Sequence, residues 1–350
     1  MNARNLAVLV LLSVAGVGDR VRQTPPHPAT RWILAYPGTA KGGIGTSYTA
    51  DDFVRLIGVV DSTGRVQSWL CTGVIFLQLY APSGRVFTTW GGGTPATGAD
   101  WAEYLDSIAG PHGALQRLDS AVTIVEAAAG KLGAKLPATL MIPYPEPNED
   151  SVAFLGHWYS TRSAEGRAAA VGAYVRAATA QFERMRFAHL RLDGFYWLAE
   201  NVGTRDTAAV IGAAKEVHRA HMRMLWIPYY FALGQDRWRH LGFDEGWLQP
   251  NYFFKVDVPP GRLDSAAIHA QREDLGVEIE FNSKMFSDPR FAGRLDPYLD
   301  MLRAYPALRR RTIAIYDGQG ALIRLSRSTA PEDRAQYARL VRALTARDER

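Results

Sequence analysis

The chain has 350 residues, 47% of them hydrophobic and 21% charged, so it folds around a large core rather than remaining disordered. Its formal net charge of +5 comes from arginines scattered through helix-like stretches. With no Lys/Arg block interleaved with aromatics, that excess does not read as a nucleic-acid surface. Cys71 is the one cysteine, which excludes an intrachain disulfide, a multi-cysteine metal site and a lipid-anchored N-terminal cysteine.

The N-terminus, MNARNLAVLVLLSVAGVGDR, has an early arginine, an apolar run from Leu6 to Val14 and small residues at Ser13 and Ala15. It reads as a secretory signal peptide over about residues 1–18, cleaved after about Ala15, and is too short for a conventional spanning helix. A secreted or periplasmic location without stable membrane insertion is therefore expected. Residues 19–30 (DRVRQTPPHPAT) form a Pro-rich lead-in. A single domain is expected over residues 31–350.

Short apolar runs and helical patterns then alternate. RWILAY (31–36) is followed by the helix candidate TADDFVRLIGVV. GVIFLQLY (73–80) precedes a long helical region from Asp100 to about Gly133, broken at Gly110-Pro111. ATLMIPY (138–144) leads to a helix over Arg167–Phe187, and HLRLDGFYW (189–197) to one over Thr204–His221. MRMLWIPYY (222–230) leads to a shorter segment, Asp236–Leu241, and WLQPNYFF (247–254) to a helix over Leu263–Leu275. GVEIEF (276–281) precedes helical segments within Asp288–Leu308. RTIAIYDG (311–318) precedes the closing amphipathic helix Pro331–Arg347.

This alternation implies right-handed β-α-β crossovers and a parallel sheet. Eight such units suit an α/β fold of the (β/α)8 TIM-barrel type. The rival, an open doubly wound sheet, favours a glycine-rich phosphate turn after strand one. Tyr36-Pro37-Gly38-Thr39 does not supply that turn, and Lys41-Gly42-Gly43-Ile44-Gly45 lacks the spacing.

In a TIM barrel the reactive face lies at the C-terminal ends of the strands. In GVEIEF, Val277, Ile279 and Phe281 face the helices, so Glu278 and Glu280 point inward. Glu280 is expected at the mouth and Glu278 one layer deeper. In HLRLDGFYW, Leu190 and Leu192 face out, leaving Arg191 and Asp193 inward, with Arg191 a counter-ion for Glu278 or Asp193. Glu200, in LAEN, stands on the rim across the barrel from strand seven.

Two carboxylates facing across a cleft are what glycoside hydrolysis requires, one protonated and one ionised. Glu280 is the expected nucleophile or base and Glu200 the general acid. Asp193 is an alternative acid or a ligand for a substrate hydroxyl. A separation of about 5–5.5 Å would give the expected retention of configuration at an O-glycosyl bond, and about 6.5–9.5 Å inversion. Trp90, Trp197, Trp226, Tyr229, Tyr230 and Tyr252 fall near strand ends, where flat rings stack on sugars. Tyr36, Tyr144, Gln249 and Asn251 are hydrogen-bonding groups for hydroxyls. Each has a plainer reading beside this one: core aromatic, loop glutamate or structural ion pair.

Other chemistries find little in the chain. Its eight histidines show no H-x-H or H-E-x-x-H spacing, and its serines lack a nucleophile elbow. Trp90-Gly91-Gly92-Gly93-Thr94 reads as a loop on the reactive face. No metal or cofactor is expected.

LDGFYWLAEN, IPYY, GFDEGWLQPNYFF and GVEIEF, in that order, resemble the bacterial domain-of-unknown-function family 4855 over most of the chain after residue 30. The matching positions are Asp193, Trp197, Glu200, Gln249, Asn251, Glu278 and Glu280. The resemblance implies a TIM-barrel, glycosidase-like protein of a kind often exported or joined to carbohydrate-binding modules. The expected function is thus hydrolysis of an oligo- or polysaccharide of bacterial or environmental origin. The alternatives are a non-catalytic glycan-binding barrel and a metal-assisted hydrolase on the same fold.

Overall fold

The structure, a computed structural model, describes residues 31–39, 45–88 and 92–346. The segments expected as a signal peptide and a Pro-rich lead-in, and Trp90, lie outside the described residues. Eight parallel strands close into a barrel: β1 (Arg31–Ala35), β2 (Gly73–Phe76), β3 (Leu136–Ile142), β4 (Leu190–Trp197), β5 (Arg223–Trp226), β6 (Glu245–Leu248), β7 (Gly276–Asn282) and β8 (Ile313–Gly318). Each pairs with its neighbours in chain order, and β1 closes the ring against both β2 and β8. The runs RWILA, GVIF and LPATLMI are buried along their whole length, as strands covered on both faces must be.

The outer layer begins with α1 (Ala50–Ile57), α2 (Gly98–Ala109), α3 (Ala114–Ala129) and α4 (Ala164–Met185). It continues with α5 (Thr204–Arg219), α6 (Gly261–Arg272), α7 (Asp296–Ala304), α8 (Pro306–Arg309), α9 (Ala321–Arg327) and α10 (Pro331–Thr345). Capping boxes start two of them: Thr49 with Asp52 at α1 and Thr97 with Asp100 at α2. The sequence signals miss α9, which follows β8 directly. The segment expected over Asp236–Leu241 contracts to a single 3-10 turn, Gln235–Arg237. The GVV end of the first helix candidate instead pairs, as Gly58–Val60, with Val66–Trp69 in an antiparallel ribbon.

Two features of the barrel interior position the site. The first is a floor. Trp32 and Trp247 meet edge to face, level with Gly73 and Gly276, the first residues of β2 and β7, ring centroids 6.0 Å apart. A Cβ at Gly73 would lie 2.6 Å from the Trp32 ring, and one at Gly276 2.5 Å from that of Trp247, so both neighbours must be glycine. The second is a β-bulge in β4. Leu192 pairs with Ala138 but Gly194 pairs with Thr139, leaving Asp193 as the extra residue. A bulge exchanges the two faces of the strand beyond it. Tyr196 and Leu198 therefore turn inward, while Phe195 packs outward on Tyr174 of α4.

Candidate functional site

A cleft of about 310 Å³ opens at the C-terminal ends of the strands. Its walls carry Tyr36 beyond β1, Tyr196 in β4, Glu200 just past β4, Glu278 in β7 and Tyr316 in β8. Gln249 and Asn251, following β6, complete the polar lining. Leu34, Leu77, Leu79, Leu198, Ile227 and Phe254 make up the rest. Five residues expected from sequence meet here: Tyr36, Glu200, Gln249, Asn251 and Glu278.

Glu280 is placed differently from expectation. It is 0% exposed and does not line the cleft, whereas Glu278, expected a layer deeper, does. The reason is a cover built from distant parts of the chain. Tyr298 of α7 donates its hydroxyl to Glu280 Oε2 at 2.7 Å and accepts the N–H of Phe253 at 3.2 Å. Asn251 takes a left-handed backbone conformation, φ 53°, which asparagine tolerates better than most residues. Its side-chain oxygen accepts the Tyr230 N–H at 2.9 Å, fixing the turn that brings the Asn251 and Tyr252 N–H groups toward Glu280.

The site's electrostatics follow from burial without cations. Burial first, and the Glu280 charge second, push Glu200 up to about 7. Burial also raises Glu280 to about 7, against the opposing pull of the Tyr298 hydroxyl, the N–H groups of Asn251 and Tyr252, and the Gln249 side chain. Glu278 has no such donors. Burial, Glu280 and Glu200 together lift it well above the ordinary carboxylate range. Within the strand-seven pair, Glu278 therefore holds the proton and Glu280 takes the charge. Tyr36 and Tyr196 are held neutral by burial and the nearby carboxylates. Among the described residues no group of three or more His, Cys, Asp or Glu is disposed to hold a metal ion.

Eight other expected residues lie away from the cleft. Asp193 sits beside the floor, bound by both Arg191 and Arg223, and Arg223 Nη1 also donates to Glu245 at 2.8 Å. This corrects its reading as an acid at the mouth, and it corrects Arg191 as the partner of Glu278. The bulge is again the cause, because Asp193 occupies the extra position and meets the first residue of β5. Trp197 is fully buried outside the barrel against Tyr144, the consequence of the same change of face. Trp226 also faces out, donating to the Ala199 carbonyl at 2.8 Å and stacking on Phe243 at 4.8 Å.

Tyr144 donates to Asp206 of α5 at 2.9 Å, in a separate groove. The ring of Tyr230 lies under the Arg262 guanidinium at 4.1 Å, and Tyr229 makes a main-chain bridge to Gln249. Tyr252 is a buried neighbour of the site: its ring packs on Tyr298 under Arg294, and only its N–H serves Glu280.

Three tyrosines at or beside the cleft were not singled out from sequence. Alternation in RTIAIYDG places Tyr316 on the face of Ala314, so it was findable. Tyr196 is concealed by the bulge. Tyr298 lies in a helix and carries no local signal at all.

A family model described as "Domain of unknown function (DUF4855)" matches residues 32–342. None of the curated proteins matches the sequence. Among solved structures, a mutant tryptophan synthase alpha-subunit from the hyperthermophile Pyrococcus furiosus is similar at 10% identity and TM-score 0.40, covering 91% of this chain and 98% of that one. A GH113 beta-1,4-mannanase in complex is similar at 11% identity and TM-score 0.42, covering 89% and 98%. A family 18 chitinase from Crocus vernus is similar at 12% identity and TM-score 0.40, covering 87% and 98%.

Proposed function

For a chain that belongs to the DUF4855 family, we propose hydrolysis of glycosidic bonds by acid/base catalysis between the end of β4 and β7. The observation that carries this reading is the set of three glutamates, Glu200, Glu278 and Glu280, gathered at the C-terminal mouth of a TIM barrel. All three are raised by burial, and no cation is among the influences on Glu200 or Glu278. An uncompensated acidic cluster is costly to bury. Its worth lies in holding one proton and one charge near neutrality, which glycoside hydrolysis needs.

In this reading Glu200, half-buried in the cleft wall, protonates the leaving glycosidic oxygen. Glu280, whose ionised form is favoured by Tyr298, Asn251, Tyr252 and Gln249, supplies from behind the cleft wall the negative charge that stabilises the oxocarbenium-like transition state. Glu278 meets the sugar and keeps the second proton of the pair. The tyrosine hydroxyls and Gln249 orient ring hydroxyls, and the leucines and Phe254 pack on apolar ring faces. Export rests on the N-terminal apolar run and is part of the same proposal.

The test is release of new reducing ends from a panel of oligosaccharides by the purified wild-type chain and by Glu200→Gln. Cleavage by wild type that falls by about 10²–10⁴ in the variant is expected for loss of a general acid. A variant that cleaves as fast as wild type would remove Glu200 from the mechanism. Binding without cleavage by wild type would favour a glycan-binding barrel.

A further inference from the structure

We propose that the cleft takes the cationic amino sugar of a de-N-acetylated glycan, its ammonium group seated between Glu278 and Gln249. The proposal rests on the reading of the cleft as a sugar site and adds the class of sugar.

The first observation is orphaned acceptors. Glu278 is 1% exposed and lines the cleft, yet its Oε2 meets no donor. Gln249, whose side chain favours the Glu280 charge, leaves its Oε1 as a second unpartnered acceptor on the same wall. Once Glu278 gives up its proton, the two buried acceptors call for a ligand group that only donates. An ammonium offers three N–H donors and no acceptor. A hydroxyl brings one donor and an amide one donor with an acceptor, so neither fills both.

The second observation is charge. Among the described residues lining the cleft there is no Arg, Lys or His. The nearest arginines are committed elsewhere: Arg294 to the carbonyls of Tyr252, Phe253 and Lys255, Arg262 to that of Pro250, and Arg191 and Arg223 to Asp193. A uronate or sulfated sugar would meet three glutamates with no counter-ion. A cation would relieve the repulsion that Glu200, Glu278 and Glu280 exert on one another.

Binding should then release protons. The groups facing the seat are Glu200 and Tyr196 from β4, Glu280 from β7, Tyr36 from β1 and Tyr316 from β8, with Tyr298 behind. The tyrosines stay neutral, so on the protein the carboxyl groups alone titrate, and affinity rises from pH 5 to about pH 7, above which the sugar's own ammonium begins to lose its proton.

The experiment is calorimetric titration of the wild-type chain and Glu278→Gln with glucosamine, galactosamine and mannosamine, each beside its N-acetyl and 2-hydroxy counterparts. Monosaccharides contain no bond to cleave, so binding is read apart from hydrolysis. The expected result is that at least one amino sugar binds about tenfold more tightly than both counterparts. That preference should grow between pH 5 and about pH 7 in wild type and disappear in Glu278→Gln. Equal or tighter binding of the neutral or N-acetylated sugars, binding of none, or a preference indifferent to pH overturns the proposal. The pH arm uses the unaltered chain, so it decides even where the variant fails to fold. Amino-sugar binding without cleavage of the corresponding oligosaccharides would overturn hydrolysis and spare this inference. Cleavage of neutral glycans alone would do the reverse.

Discussion

The barrel buries acidic side chains at both ends and treats them in opposite ways. At the floor, Asp193 is enclosed by Arg191 and Arg223, and Arg223 is shared with Glu245. At the mouth, Glu278 and Glu280 are equally buried, but the Tyr298 hydroxyl bonds to Glu280 alone, where the Gln249 amide and nearby N–H groups also favour the charge, and nothing cationic reaches Glu278. A fold that needed only to neutralise its buried acids would repeat the first solution. The contrast separates an ion network that holds strands together from a set of carboxyl groups buried without counter-ions, which the proposed function uses to exchange protons.

The largest expected effect that would break this comparison is on turnover. Glu280→Gln should cost about 10²–10⁴ in cleavage rate and little stability, because the amide still accepts from Tyr298. Asp193→Asn should do the opposite. Removing the charge that two arginines share is expected to destabilise by roughly 2–4 kcal/mol in denaturant titration, with activity per folded molecule little changed. If Asp193→Asn instead abolishes activity at full stability, the floor and mouth have been assigned the wrong way round.

A smaller effect lies in the pH dependence of stability. Glu200, Glu278 and Glu280 have folded-state pKa values above their ordinary ones. The folded state therefore binds protons more tightly than the unfolded state, so their contribution is fully present below about pH 4.5 and falls as pH rises, that of Glu200 and Glu280 being lost through about 7. Wild-type Tm should fall between pH 5 and pH 8. Glu278→Gln should flatten that fall and be the more stable protein at pH 8, by about 1–3 kcal/mol. A Tm that rises over the same interval would mean the mouth carries compensating cations after all.

The smallest effect is that of Tyr298→Phe. Losing one hydrogen bond to the ionised form of Glu280 moves its pKa upward. The acid limb of the rate profile should shift to higher pH, with a loss of only a few-fold at the optimum. An unshifted profile would sever Tyr298 from the chemistry.

The eight strands were legible because each is a short apolar or alternating run bounded by helical periodicity, and because the parity of GVEIEF admits only one inward face. Glu278, Glu200, Gln249, Asn251 and Tyr36 were legible for the same reason, once the C-terminal end was known to be the reactive one. The bulge at Asp193 was not. It depends on β4 pairing with β3 and β5 rather than on the composition of β4, and it carried Asp193, Trp197 and Tyr196 to places opposite to those expected. The burial of Glu280 was equally hidden, since the cover comes from Tyr298 of α7, 18 positions further along the chain. Aromatic residues at strand ends looked like a sugar platform. Trp226 and Trp197 instead fill the space between barrel and helices, which a list of strand-end residues cannot distinguish from the lumen.

The most direct measurement is a carboxyl titration by NMR on protein carrying 13C-labelled glutamate side chains, followed from pH 4 to pH 9 in wild type, Glu200→Gln and Glu280→Gln. Two side-chain carboxyl resonances should titrate near pH 7, one vanishing in each variant, with the survivor shifting because its neighbour's charge is gone. If every glutamate titrates below about pH 5, the mouth is not poised for acid/base chemistry and the catalytic account is wrong.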